Sequence, residues 1–403
     1  MSDAAPEPCT DEAGVPPYVV PDPLVCADGS PVRGVGEWPR RRAELLALFE
    51  RHVYGRMPAP RAVDVVEASR DPRACGGLAT RLELVVSIAG VPAPMRLCCW
   101  IPNAARGPCA AFLGLNFGGN HAVHPDRSIT LSDAWVRDGE GVVDHRSTEA
   151  SRGQRAHQWP VEMILSRGYA LVTAFYGDLA SDRPEVLGSE TFAALGQGAE
   201  RAGDGFGAIA LWAWSLSRAL DALATVPAID ARRVAVVGLS RLGKVALWAG
   251  ATDQRFALTI STNSGQGGAA LGRRRFGETI RHITAAFPHW FCPDHATWAD
   301  REDELPVDQH ELLALIAPRP VYVASATRDL WADPRGEFLT CVHADPVYRL
   351  LGTGGIGGAS EMPPPGIAIG DAIGYHLRAG VHSLVAEDWW HYLAFADRWL
   401  APR

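Results

Sequence analysis

Residues 234–244 read V-A-V-V-G-L-S-R-L-G-K, and this stretch decides the fold of the whole chain. Val234, Ala235, Val236 and Val237 form an apolar run of the kind found in a strand buried on both faces. From Arg241 onward the apolar residues recur at helical spacing. Only Gly238, Leu239 and Ser240 join the two elements. So short a turn needs a residue without a side chain where the following helix closes in, and Gly238 supplies it. Ser240 is then held at the tip of the turn, at the carboxyl end of the strand, where open α/β sheets gather their ligands. The helix that starts at Arg241 points its positive end at the same place, and the Arg241 N–H is available to an oxyanion. The plainer alternative is a serine that caps a helix after a strand.

On both sides of this segment strand-like and helix-like stretches alternate. Residues 82–88, 95–101, 110–115 and 169–174 read as strands before it, with helices at 161–166 and 206–224. After it come strands at 257–261 and 321–326, helices at 309–316 and 336–351, a last strand around 374–378, and a closing helix at 389–400. The helix at 336–351 is expected to be interrupted near Pro346. Another helix is expected at 43–56. This alternation implies a mostly parallel sheet with helices on both faces. With the strand–Gly-x-Ser–helix turn it predicts an α/β-hydrolase fold, a three-layer sandwich with long loop insertions. A chain of 403 residues suggests two or three domains at ~150 residues each. No linker divides it, so the expectation is an arm at 1–38 and one catalytic domain at 39–403. Residues 117–157 and 352–370 read as long loops, which in compact domains often carry function.

Composition narrows the partners. With 47% apolar and 21% charged residues the chain is neither disordered nor fibrous. The net charge is −8, and the longest basic runs are Arg40 to Arg42 and Arg273 to Arg275, so nucleic acid is not an expected partner. No run of eighteen apolar residues exists, so no membrane helix is expected. The first 23 residues lack the basic and apolar regions of a secretory signal. The eight cysteines show no C-x-x-C spacing, and buried free thiols are expected. Trp is the most numerous aromatic, with 13 residues against 12 Phe. Trp212, Trp214 and Trp399 read as core.

A serine nucleophile needs a base, and the base needs a carboxylate to orient it. In this fold the chain order is serine, acid, histidine. Asp329 follows the strand at 321–326 and stands where the acid belongs; the alternative is a solvated turn residue. Four histidines follow it: His343, His376, His382 and His391. His343 and His391 fall inside helices. His376 lies in the last strand. His382 lies on the loop beyond that strand, which favours it as the base. Metal chemistry is the rival, because His121, His124, His145 and His157 share one loop. None has the H-E-x-x-H spacing that places two ligands on one helix face, so no metal is expected.

These residues resemble a family. Gly238-Leu239-Ser240-Arg241-Leu242-Gly243-Lys244 is similar to the G-x-S-R-x-G-K elbow of the glucuronoyl esterases, carbohydrate esterase family fifteen, in which Gly stands at the third place after Ser. Segments 276–279 (F-G-E-T), 287–291 (F-P-H-W-F), 308–312 (D-Q-H-E-L), 329–334 (D-L-W-A-D-P) and 380–384 (G-V-H-S-L) also resemble bacterial members. The resemblance implies cofactor-free hydrolysis of the ester between 4-O-methyl-D-glucuronic acid of glucuronoxylan and lignin alcohols, through an acyl-enzyme. It implies Ser240 as nucleophile, His382 as base and then acid, and Arg241 at the oxyanion through its N–H and guanidinium. Lys244 and Glu278 would contact sugar hydroxyls, and Trp331 would wall the sugar pocket. The implied partners are glucuronic acid esters, glucuronoxylan and lignin–carbohydrate complexes, with no membrane partner. The implied state is a monomer, secreted or periplasmic.

The acid is where the chain departs. Many members carry a Glu at the position occupied here by Asn263. Some bacterial members instead have an Asp at the position of Asp329, and the resemblance then places the acid there. Two other functions stay open at this point. One is another carbohydrate carboxylesterase, such as an acetyl xylan esterase. The other, motivated by Asn263, is a non-catalytic carbohydrate-binding protein on a hydrolase scaffold.

Overall fold

The structure, a computed structural model, describes residues 7–198 and 200–401. Its centre is a ten-stranded sheet. In chain order the strands are β1 (Val63–Arg73), β2 (Ala79–Ile88), β3 (Met95–Pro102), β4 (Cys109–Asn116), β5 (Ala170–Phe175), β6 (Ile229–Leu239), β7 (Leu258–Thr262), β8 (Val321–Ala326), β9 (Ala368–Gly370) and β10 (Ile373–Arg378). Across the sheet they run β1-β2-β3-β5-β4-β6-β7-β8-β10-β9. The six strands from β5 to β10 across the middle pair in parallel, and antiparallel strands finish both edges.

The middle strands are apolar on both sides because both sides are covered. Cys98 and Cys99 illustrate the alternation: Cys98 packs with Phe112 and Trp389 on one face, Cys99 with Leu113 and Val172 on the other. One face is covered by α1 (Trp38–Phe49), α3 (Ala208–Leu223), α4 (Arg241–Thr252), α5 (Gln309–Ala314) and α6 (Pro334–Leu350). The other is covered by α2 (Val161–Ser166) and α7 (Ala386–Trp399). Trp212 and Trp214 are buried in α3, whereas Trp399 is only partly buried.

Two expectations need correction, and one strand was not foreseen. Helix α6 runs through Pro346 without a break. The lost hydrogen bond is outweighed by the flanking Ala344, Val347 and Tyr348, all fully buried. Helix α1 begins at Trp38, earlier than the expected 43, because Trp38 is buried and Pro39 suits a first turn. Strand β1 gave no signal in the sequence, being an edge strand with mostly exposed residues. All eight cysteines are free thiols, six of them buried.

Residues ahead of α1 lie against the loops that follow β7. Gly277 N donates to Cys9 O at 2.7 Å, Arg273 donates to Val19 O at 3.0 Å, and His310 Nε2 to Pro21 O at 2.8 Å. Arg274 pairs with Glu12 at 2.7 Å. None of the helices among the described residues is long and apolar enough to cross a membrane.

Candidate active site

The turn between β6 and α4 is as tight as its sequence requires. A Cβ on Gly238 would stand 1.9 Å from the carbonyl oxygen of Leu242, so no side chain fits. Ser240 takes φ 59° and ψ −130°, a strained backbone for any residue with a side chain. Hydrogen bonds hold it there. Its N–H donates to Thr262 O at 2.9 Å, and its carbonyl accepts from Gly243 N at 2.8 Å and Lys244 N at 3.2 Å. Ser240 lines a cavity of about 310 Å³ together with Asp329, His382, Asn263, Arg241, Lys244, Glu278 and Trp331. The residues singled out in the sequence therefore meet at one place.

Asp329 follows β8, is 5% exposed, and sits beside the loop after β10. His382 Nδ1 donates to Asp329 Oδ2 at 2.6 Å. The two loops are tied by Thr327 N to Arg378 O at 2.9 Å, Arg328 N to Gly380 O at 2.8 Å, and Gly380 N to Thr327 Oγ1 at 3.1 Å. Arg378 grips the loop from below. Its guanidinium donates to Val381 O and Ser383 O, each at 3.0 Å, on either side of His382. Asp388, at the start of α7, anchors that guanidinium at 3.1 Å. Sequence reasoning missed Arg378 and Asp388, because their effect depends on a loop returning over its own strand.

The other histidines are occupied. His376 is fully buried between Asp388 Oδ1, at 3.0 Å, and Tyr322 OH, at 3.1 Å. His391 packs on His376, and burial pushes its pKa down to about 4. His343 stands in α6 against His310.

Asn263 sits just after β7 with φ 47°, and it is almost fully buried. Its Nδ2 finds no hydrogen-bond partner among the described residues. Lys244 donates to Ser264 O and stands 3.9 Å from Glu278. Burial lowers the Lys244 pKa, with the charge of Glu278 opposing. Burial raises that of Glu278, with Lys244 opposing. The backbone N–H of Glu278 donates to Trp331 O at 2.9 Å, and Trp331 is 45% exposed, so it forms the rim. The Arg241 guanidinium pairs with buried Asp182 and lies 4.7 Å over the Trp290 ring. Neither Asp182 nor Trp290 was assigned a role from the sequence.

The loop histidines scatter. His121 hydrogen-bonds Ser151 at 2.9 Å, and His145 contacts Val136 O at 3.3 Å. His124 lies near Cys75 and Glu162, which together could in principle hold a metal. However, Asp126 N–H donates to His124 Nδ1 at 3.2 Å, so the neutral ring keeps its proton on Nε2, on the side of Cys75 and Glu162. That tautomer turns a proton rather than a lone pair toward the group.

A mostly parallel sheet with a strained serine between strand and helix, and a carboxylate and histidine beyond later strands, defines an α/β-hydrolase. The family description "glucuronyl esterase, fungi" matches residues 157–352. A carbohydrate esterase from an unknown prokaryotic organism is 46% identical over 96% of this chain and 91% of its own length. A structure described as a promiscuous CE15 esterase from a marine bacterial metagenome is 44% identical, with a TM-score of 0.91, covering 98% of this chain and 100% of that one. A glucuronoyl esterase from Solibacter usitatus is 41% identical, with a TM-score of 0.87 over 96% and 99% of the two chains. The chain belongs to carbohydrate esterase family 15, the glucuronoyl esterases.

Proposed function

We propose that this chain is a cofactor-free serine esterase that hydrolyses the ester between 4-O-methyl-D-glucuronic acid of glucuronoxylan and lignin alcohols. The observation that carries the reading is the Asp329–His382 hydrogen bond at 2.6 Å, set in the same cavity as the strained Ser240. With Nδ1 engaged by Asp329, the Nε2 of His382 is left to take the proton of Ser240 Oγ as that oxygen attacks the uronate carbonyl. Asp329 then steadies the imidazolium. The Arg241 N–H and guanidinium balance the charge that grows on the carbonyl oxygen. Collapse expels the alcohol, which takes the proton from His382, and water repeats the sequence on the acyl-enzyme. Lys244, Glu278 and Trp331 would receive the sugar. Residues 39–403 act as one catalytic domain in this reading. A polymeric xylan substrate places the work outside the cytoplasm.

The test is turnover of benzyl glucuronate and of the matching galacturonate. Ser240→Ala should lower kcat at least about a thousandfold while the chain stays folded by circular dichroism. Turnover retained in that variant overturns the assignment. The marine relative is described as promiscuous, which favours as a second reading a broader range of carboxylic esters. A p-nitrophenyl acetate rate that exceeds the rate on methyl glucuronate would support it.

A further inference from the structure

The segment after β5 carries a carboxylate to which the mechanism above gives no task. The Asp182 side chain is fully buried, and its two oxygens are divided between two sets of donors. Oδ1 accepts from His289 Nε2 at 2.8 Å and from Trp290 Nε1 at 2.7 Å. Oδ2 accepts from Tyr176 OH at 3.2 Å, pairs with the Arg241 guanidinium, and has Arg137 Nη1 at 3.5 Å. Burial alone would raise the Asp182 pKa, but the hydrogen bond from His289 and the charge of Arg241 outweigh it and hold the group ionised well below the usual carboxylate range.

The guanidinium so held is also boxed by rings. Its carbon lies 4.7 Å from the Trp290 ring, 5.5 Å from Phe287 and 5.7 Å from Phe117. Phe287 and Trp290 are themselves stacked at 3.8 Å. Arg241 Nε is buried and has no partner among the described residues. Arg241 and Phe287 line both the cavity of Ser240 and a second cleft of about 750 Å³ beside it. A buried ion pair is a weak source of stability, because desolvation offsets the attraction. Its stronger effect is geometric: a long, flexible side chain is fixed in one place on the border of the two spaces.

We propose that Asp182 is the positioning residue of Arg241, holding its guanidinium at the rim of the Ser240 cavity so that it meets the oxyanion of the transition state. The proposal rests on the esterase reading above. Asp182→Asn is the selective test. The amide oxygen can still accept from His289 and Trp290, while the amide N–H₂ replaces Oδ2 and faces the arginine with a donor. With benzyl glucuronate, kcat should fall about tenfold to a hundredfold while KM stays within about threefold. In an Arg241→Ala background the same substitution should change kcat no further. Unchanged kcat, or losses that add in the double variant, would overturn the proposal. If Asp182→Asn does not fold, Tyr176→Phe removes one hydrogen bond to Oδ2 alone. It should lower kcat about twofold to fivefold, again only when Arg241 is present. A loss equal in both backgrounds overturns the proposal. A fluorophosphonate separates the two levels of failure. An unlabelled Ser240 in the unmodified chain sinks the esterase reading itself. A labelled chain whose Asp182→Asn variant keeps full kcat sinks only the role of Asp182.

Discussion

At the scale of single residues the question is which group orients the base. Asn263 lies in the cavity, but a neutral amide cannot stabilise an imidazolium by charge. Asp329 can, and it holds His382 Nδ1 at 2.6 Å. Asp329→Asn should therefore lower kcat by about a thousandfold or more, since an amide there also allows the wrong tautomer of the ring. Asn263→Ala should cost less than about tenfold, the scale of a single neutral hydrogen bond. Steady-state kinetics on benzyl glucuronate compares them, and the reverse order would move the acid away from Asp329. That Ser240, Asp329 and His382 would gather in one cavity was legible, because each follows a strand marked in the sequence pattern. Asp182, Arg378 and Asp388 were not. Their importance arises where segments distant in the chain converge, and nothing local in the sequence records that convergence.

Among the elements, the elbow is the most constrained. Gly238→Ala would drive a methyl group to 1.9 Å from a backbone carbonyl oxygen of α4, and neither the strand nor the helix can yield without unpacking. The variant should be recovered mostly insoluble, or with a melting temperature lowered by more than about 5 °C, as overpacking of this kind costs a few kcal/mol. Thermal unfolding followed by circular dichroism measures it. The same physics explains which elements the sequence revealed. Strands β4, β5 and β8 and the second half of β6, Val234 to Leu239, are buried and largely apolar, because helices cover both faces, and their runs stood out. Strand β1 is an edge whose outward residues stay in water, and it left no mark. Helix α6 misled through Pro346, since a propensity rule yields when the surrounding turn is fully buried.

For the molecule as a whole, one buried carboxylate should shape the response to pH. Glu337 of α6 receives Ser264 N at 2.7 Å, Gly265 N at 3.0 Å and Ser325 Oγ at 2.6 Å, so it ties the loop after β7 to the sheet. Burial raises its pKa from 4.5 to about 8. The folded chain thus keeps this proton to higher pH than the unfolded chain does. The resulting stabilisation is complete below the unfolded value of 4.5 and is lost as pH rises through about 8. Between those limits its slope is about 1.4 kcal/mol per pH unit. Glu337→Gln keeps an oxygen for the two N–H groups and an amide donor for Ser325. Its melting temperature should therefore fall less steeply than that of the unmodified chain between about pH 5 and 9. Identical pH profiles would show that Glu337 is already ionised in the folded state. The pairing of charges around the cavity has one more consequence. Arg241 already has Asp182 as counter-ion, and Lys244 has Glu278 within 3.9 Å. Hydrolysis converts a neutral ester into a uronate anion. Arg241 can still aim its N–H donors at the oxyanion, but with a counter-ion beside each cation the site as a whole carries no surplus positive charge to retain the newly formed acid, and its departure is eased once the ester bond is cut.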